Sequence, residues 1–331
     1  MTNLPILQDI LETQSQNQIQ DQKLESQNQE KVSNLGSLVQ KADKYNTFVS
    51  PNKPTWCSGC GNFGIFSAIN RALVLEEILP HNVLMCFDVG CNGNGSDKIN
   101  TYTIHGLHGR STALAPACAM TNRKMTVIAT GGDGSTFSEG INHLIHAVRN
   151  NYKMVFICHN NNNYGLTTGQ ASSTTKPGNP MNSSPLGNLS EQLNSLQLIL
   201  SLKPSWVGRS FSGNINHMTK MIREAINHQG FAYLEIMQVC PTYNKFTPQE
   251  WYWDKIVDVE DLKLEQNYNN TDIWQARKLV DDLGKRLAIG LIYHNSNMQD
   301  YLSKTNRGEI KTELTEEVRQ YDISQLLMEF I

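Results

Sequence analysis

The chain has 331 residues, with 31 acidic against 28 basic side chains and a net charge of -3, which leaves no broad basic surface to neutralise a phosphate backbone and argues against nucleic-acid binding. A hydrophobic share of 39% suffices for a buried core at this length, and no run approaches the roughly 20 apolar residues of a membrane span. The N-terminus lacks the basic-then-apolar order of a signal peptide, so the expected location is cytoplasmic, and there the seven cysteines must be explained by burial, metal or catalysis rather than by disulfides.

Residues 11–34 are dominated by Gln, Asn and charged side chains with almost nothing to bury, so residues 1–45 are expected to form a disordered tail. From there β-branched apolar runs alternate with helical patterns. Strands are expected at 83–87, 125–130, 154–158 and 232–239. Helix faces are expected from Phe66, Ile69 and Leu73, from Ile141, Leu144, Ile145 and Val148, and from Met218, Ile222 and Ala225. This alternation predicts an α/β fold, a mostly parallel sheet with helices on both faces, over residues 46–300. Residues 160–186 form a polar loop too long to be a mere connector. A helix is expected around 274–289, and residues 301–331 read as a weakly patterned C-terminal extension.

The segment Gly131-Gly132-Asp133-Gly134-Ser135 leaves the second expected strand and precedes a helix expected near Ser138. Glycines there let the backbone approach a phosphate, and the unpaired N–H groups of a helix start favour an anion. A carboxylate at Asp133 would repel that anion unless a hard cation such as Mg²⁺, which demands an octahedron of oxygens, lay between them. Further oxygens follow the next strand in Asn160-Asn161-Asn162-Asn163-Tyr164-Gly165-Leu166. Taken singly, Gly-Asp-Gly is also a common tight turn and an asparagine run a polar one.

Together, Gly-Asp-Gly and an Asn-Asn pair 25 residues beyond it resemble the signature of the thiamine-diphosphate enzyme superfamily. The resemblance implies Asp133 and Asn161 as side-chain ligands of Mg²⁺ and Asn163 as a main-chain carbonyl ligand, with Gly134, Ser135, Gly165 and Leu166 against the diphosphate. The four asparagines leave the register open by one. Thr136-Phe137-Ser138-Glu139 matches a capping box, in which Glu139 bonds the backbone at a helix start. The glutamate that thiamine enzymes place at N1′ of the aminopyrimidine is then expected from another chain.

Trp56-Cys57-Ser58-Gly59-Cys60-Gly61 sets two thiols one turn apart, a spacing shared by redox dithiols, half zinc sites and iron–sulfur sites. Cys91 and Cys240 each follow an expected strand, on the sheet edge that carries the Asp133 motif, whereas Cys86, Cys118 and Cys158 sit in apolar segments and read as buried. Four soft thiolates suit either Zn²⁺ or a [4Fe–4S] cluster. The adjacent thiamine signature favours the cluster, which can accept electrons singly where zinc cannot.

The whole set resembles the β subunit of the 2-oxoacid:ferredoxin oxidoreductases: Trp-Cys-x-Gly-Cys-Gly at 56–61, Gly-Cys at 90–91, His-Gly-Arg at 108–110, Gly-Gly-Asp-Gly at 131–134, Tyr-Gly-Leu-Thr-x-Gly-Gln at 164–170 and Cys-Pro-Thr-Tyr-Asn-Lys at 240–245. Residues 289–293 look like that family's C-terminal strand. The resemblance implies that Cys57, Cys60, Cys91 and Cys240 bind one [4Fe–4S] cluster. It also implies that Gly90 and Asn92 approach the thiamine, and that His105 or His108, with Arg110, faces the site. Two departures border the substrate: Asn94-Gly95-Ser96-Asp97 is inserted before Lys98, and Thr168 stands where many relatives carry Lys. The implied reaction is coenzyme A-dependent oxidative decarboxylation of a 2-oxoacid, 2-oxoglutarate ahead of pyruvate, with ferredoxin as acceptor and an α subunit as partner. The alternatives are a non-redox thiamine lyase or carboligase, which leaves the cysteines without purpose, and a zinc-stapled assembly subunit.

Overall fold

The computed structural model describes residues 46–281, 285–305, 307, 309, 312–317 and 322–329. The expected tail at 1–45 lies outside them. In chain order come α1 (Asn62–Leu75), β1 (Val83–Phe87), β2 (Tyr102–His105), α2 (Ser111–Thr121), β3 (Thr126–Gly132), α3 (Asp133–Phe137), α4 (Ile141–Asn150) and β4 (Met154–Asn160). These are followed by α5 (Ser195–Ser201), β5 (Trp206–Phe211), α6 (Ile215–Asn227), β6 (Phe231–Met237), α7 (Gln249–Trp253), β7 (Ile256–Asp258), α8 (Val259–Gln266), α9 (Ile273–Val280) and β8 (Leu287–His294).

The eight strands form one sheet in the order β2-β1-β3-β4-β6-β5-β8-β7. Every pairing is parallel except β5 with β8. Strands β5 and β6 are buried at every residue, as parallel strands covered on both faces must be. Val127, Ala129, Met154, Phe156 and Cys158 join the core beneath α2, α4, α5, α8 and α9. The intervening Ile128, Val155 and Ile157 are equally buried, on the face where α1 and α6 pack together.

All four expected strands are present, β1 with the expected bounds and the others with no end moved by more than two residues, and residues 289–293 fall within β8. Strands β2, β5 and β7 were not anticipated. In β5 the apolar signal is broken by Arg209, which is buried only because Glu235 stands at the paired position on β6, Nε to Oε2 2.8 Å. The helix expected at 274–289 is corrected: α9 ends at Val280, and the chain re-enters the sheet at Leu287. Gly290 has φ +116°, which no right-handed helix admits.

Parts of the expected C-terminal extension dock on this unit. Tyr301 packs on Tyr152 with ring centroids 5.0 Å apart, and the Glu313 carboxylate accepts from Arg123 N at 2.8 Å. Chain order runs outward in opposite directions from β1 and β3, so the crevice beyond their carboxyl ends is the switch point where such sheets bind ligands.

Candidate functional site

Three loops leave the sheet at that crevice. After β1, residues 88–92 are pinned by Asp88, a buried carboxylate whose Oδ1 accepts from Val89 N at 2.8 Å and Gly109 N at 2.7 Å, and whose Oδ2 accepts from Ser111 Oγ at 3.2 Å. Gly90 has φ +148°, and Asn92 donates to Thr130 Oγ1 at 3.2 Å. After β3, Gly132 leads into α3. After β4 comes the asparagine run. Together they enclose a small cavity of about 80 Å³ lined by Gly90, Cys91, Asn92, His108, Asp133, Gly134, Ser135, His159, Asn161, Asn163, Gly165 and Leu166, among others.

These contacts bear on the register of the asparagines. Asn161 and Asn163 line this cavity, while Asn160 and Asn162 line a different one. The Asn161 carbonyl accepts from the side chains of Asn163 and Asn244, each at 3.0 Å, and the Asn162 carbonyl from Thr175 Oγ1 at 2.7 Å. Their main-chain oxygens are therefore already engaged, which favours Asn163 as the carbonyl donor. Asn244, in the Cys-Pro-Thr-Tyr-Asn-Lys motif, thus braces the loop.

Asp133 is 1% exposed. Its Oδ2 accepts from Ser172 Oγ at 2.5 Å and Thr174 Oγ1 at 2.6 Å, and its Oδ1 from Asn161 N at 3.2 Å. Burial pushes its carboxyl up to about 6 despite those donors. His159, which lines the same cavity, is held down to about 3 by burial and so is neutral. Its Nε2 is buried without a partner among the described residues. Gly134 lies under the Tyr164 ring, where a Cβ would meet ring carbons at 2.4 Å. An oxygen donor set around one acid, an orphaned buried nitrogen and a glycine cradle fit a metal-bound diphosphate.

The capping box does not form. Thr136 lies inside α3 with its hydroxyl unpaired among the described residues, and α4 starts after Gly140 with no side-chain cap. The reason is a second short helix: the chain makes one turn as α3 before α4 begins, which moves Glu139 into the break between them. There its carboxylate meets His108 Nδ1 at 3.1 Å, with the Tyr164 hydroxyl 3.5 Å away. His108 stacks on Tyr164 at 5.9 Å and lines the cavity, whereas His105 is exposed on β2 and does not. Arg110 is not among the residues lining that cavity. Its guanidinium donates to the Glu139 carbonyl at 2.8 Å and so clamps the 108–110 turn. Lys98 is buried and paired with Asp97 at 2.8 Å, and Thr168 (φ +78°) lies outside the cavity lining.

The four singled-out cysteines gather beside this cavity. Trp56 Nε1 donates to the Cys91 carbonyl at 2.6 Å and Gly61 N to the Val239 carbonyl at 3.0 Å, which ties the Cys57–Cys60 turn to the loops of Cys91 and Cys240. Burial, then the closeness of Cys60, Cys240 and Cys57, pushes the Cys91 thiol up to about 12. A Cβ on Gly165 would stand 3.2 Å from Cys91 Sγ and 3.8 Å from Cys240 Sγ. No three His, Cys, Asp or Glu side chains among the described residues are set to hold one metal ion. A four-iron cluster takes one thiolate at each iron and needs them farther apart than a single zinc does. Cys86 and Cys158 are fully buried, as expected; Cys118 is only partly so, on α2 beside Cys86.

Sequence reasoning gave no role to Asp88, His159, Ser172, Thr174 or Asn244. Asp88 carried a signal, an acid closing an apolar strand; the Ser and Thr were lost in a loop of similar residues.

The family model for the C-terminal TPP binding domain of thiamine pyrophosphate enzymes matches residues 88–236, and that for the C-terminal part of the pyruvate ferredoxin oxidoreductase beta subunit matches 240–308. The chain is 35% identical to a 2-oxoacid:ferredoxin oxidoreductase subunit beta from Sulfolobus sp over 76% of its own length and 85% of that protein. It is 36% identical to the 2-oxoglutarate oxidoreductase subunit KorB of Mycobacterium tuberculosis over 60% and 53%. A solved 2-oxoglutarate:ferredoxin oxidoreductase from Magnetococcus marinus, with 2-oxoglutarate, coenzyme A and succinyl-CoA bound, superposes with a TM-score of 0.76 at 29% identity, covering 86% of this chain and 95% of that one. At that identity and coverage the protein belongs to the family of 2-oxoacid:ferredoxin oxidoreductase β subunits.

Proposed function

We propose that this β subunit holds thiamine diphosphate through Mg²⁺ and a [4Fe–4S] cluster side by side, and serves the coenzyme A-dependent oxidative decarboxylation of 2-oxoglutarate, or less readily pyruvate, with ferredoxin as acceptor. The carrying observation is the position of Gly165, with Asn163 Oδ1 3.3 Å from its Cβ direction and Cys91 Sγ 3.2 Å from it. One residue separates the metal side from the thiol side.

Asp133, Asn161 and the Asn163 carbonyl would hold Mg²⁺; Gly90, Asn92, Gly134, Ser135, Gly165 and Leu166 would line the cofactor; Cys57, Cys60, Cys91 and Cys240 would hold the cluster. When bound, the thiamine supplies an electron sink at the carbon that loses CO₂. The chain's own residues do the positioning. Ser172 and Thr174 fix the Asp133 carboxylate, Asp88 keeps the 88–92 loop against the 108–111 turn, and His108 with Glu139 closes one wall of the crevice. The setting we propose is the cytoplasm, which keeps four thiols reduced; no helix among the described residues is long and apolar enough to cross a membrane.

The α partner is proposed to bring the glutamate for N1′ and the coenzyme A site. Tyr102, Ile104 and Leu107 are 60%, 37% and 79% exposed on and just beyond the edge strand β2, next to His108. That apolar edge suits an obligate contact. With the cap reading of Glu139 overturned, Glu139 itself needs a test. The full chain, loaded with metal, thiamine and cluster, is assayed alone and with its partner for CO₂ from labelled 2-oxoacids. Turnover is expected only with the partner, and Glu139→Gln should retain most of it. Full turnover by the isolated chain, lost in Glu139→Gln, would place the ylide-promoting acid here.

A further inference from the structure

A second cavity, of about 450 Å³, opens on the opposite side of the asparagine run, with Asn160, Asn162 and Thr174 in its wall. The size is that of a site for a small organic ligand. Its floor is the Arg209–Glu235 pair, both less than a tenth exposed. Glu235 is fully engaged, accepting from Arg209 Nε at 2.8 Å, from Asn160 Nδ2 at 2.9 Å and from Ser195 Oγ. Arg209 is not. Only its Nε is hydrogen-bonded among the described residues, and its two terminal nitrogens are not among the sealed, unpaired atoms, so they open into the cavity.

Lys176, Lys255 and Lys285 also line it, and none is in an ion pair with a described residue. The lining thus carries four cations against one carboxylate, a local inversion on a chain whose net charge is -3. Phe246, 45% exposed, stands in the same wall as Trp251, whose ring carries Lys255 Nζ at 4.5 Å. A planar guanidinium with both terminal nitrogens free, flanked by lysines, matches a phosphate. Flat rings beside it, Phe246 exposed and Trp251 half-buried, match a base.

We propose that this cavity binds a nucleoside phosphate, its phosphate on Arg209 and the lysines and its base against Phe246 and Trp251, at a site separate from the thiamine crevice. The occupant is a free nucleotide; coenzyme A, which carries the same nucleotide chemistry, is placed on the α partner.

The test titrates ADP and, separately, inorganic phosphate into the anaerobically purified complex already saturated with thiamine diphosphate and Mg²⁺. One ADP per chain is expected, with affinity falling as salt rises. Lys255→Gln with Lys285→Gln should weaken it about tenfold while leaving the melting temperature and thiamine affinity unchanged. Trp251→Leu should weaken ADP but not phosphate. Displacement of ADP by coenzyme A would assign the cavity to that cofactor and overturn the proposal. The proposal is overturned by absence of saturable ADP binding, by binding indifferent to the lysine pair, by phosphate binding as tightly as ADP, or by excess thiamine diphosphate displacing it. Protection of residues 246–255 from hydrogen exchange by the partner, without ADP binding, would overturn it too.

Discussion

Gly165→Ala adds one methyl group at the seam between the metal side and the thiol side. Its Cβ would lie 3.2 Å from Cys91 Sγ, 3.3 Å from Asn163 Oδ1 and 3.8 Å from Cys240 Sγ. The first two are closer than the roughly 3.5–4.0 Å of an unstrained contact. The glycine does not have a left-handed φ, so the cost is steric alone. Without the cluster the Cys91 thiol can turn away, which puts the penalty near the bottom of the overpacking range, about 1 kcal/mol, or roughly 2–4 °C in melting temperature for a domain of this size. With the cluster in place both sulfurs are pinned, and the upper end of that range, about 3 kcal/mol, falls on the loaded state. Cluster affinity should then drop by the difference, about 2 kcal/mol or roughly 30-fold. Iron and sulfide per chain and the visible spectrum measure the loss, and melting of the chelated protein measures the baseline. A variant with full iron and an unchanged spectrum would show that no cluster lies against Gly165.

Asp133→Ala should abolish metal-dependent thiamine diphosphate binding in calorimetry, and Asn161→Ala should weaken it less, because an amide carries no formal charge; equal losses would contradict that ranking. Cys240→Ser should bleach the visible spectrum while Cys86→Ser, buried in the core and remote from the crevice lining, should leave it intact; a full cluster in Cys240→Ser would require another fourth ligand. Burial, with His294 nearby, holds His228 down to about 4 from its ordinary 6.5. A histidine kept neutral by folding contributes stability that is present above its ordinary value and lost as pH falls from about 6.5 toward 4, here by at most about 3 kcal/mol. Urea unfolding of His228→Gln should show a flatter acid limb over that window, and an unchanged limb would remove His228 from the account.

The parallel core was legible because β1, β4 and β6 are short apolar runs between turn signals, as strands covered on both faces must be. Strand β5 was hidden by Arg209, whose burial depends on a partner 26 residues away, and no local pattern shows such a pair. Edge strand β2 is exposed at all four residues and so carries no burial period to read. Asp133, Asn161, Asn163 and the four cysteines were expected from residue chemistry, strand ends and the family resemblance, and the structure brings them to one edge of the sheet. Glu139 was misread because a capping box is a local pattern, and the break between α3 and α4 is set by packing. Ser172 and Thr174 reach Asp133 only through the path of a long loop, which composition does not encode.

The central claim is that a thiamine site and an iron–sulfur cluster work as neighbours on this chain. The most direct measurement is the visible and paramagnetic spectrum of the anaerobically purified complex before and after 2-oxoglutarate and coenzyme A are added without ferredoxin. The account predicts a brown protein with about four irons per β chain whose absorption bleaches on addition as the cluster is reduced, and an Asp133→Ala complex that keeps its colour without bleaching. A colourless protein holding stoichiometric zinc, or a brown one whose spectrum is indifferent to every 2-oxoacid supplied, would contradict it.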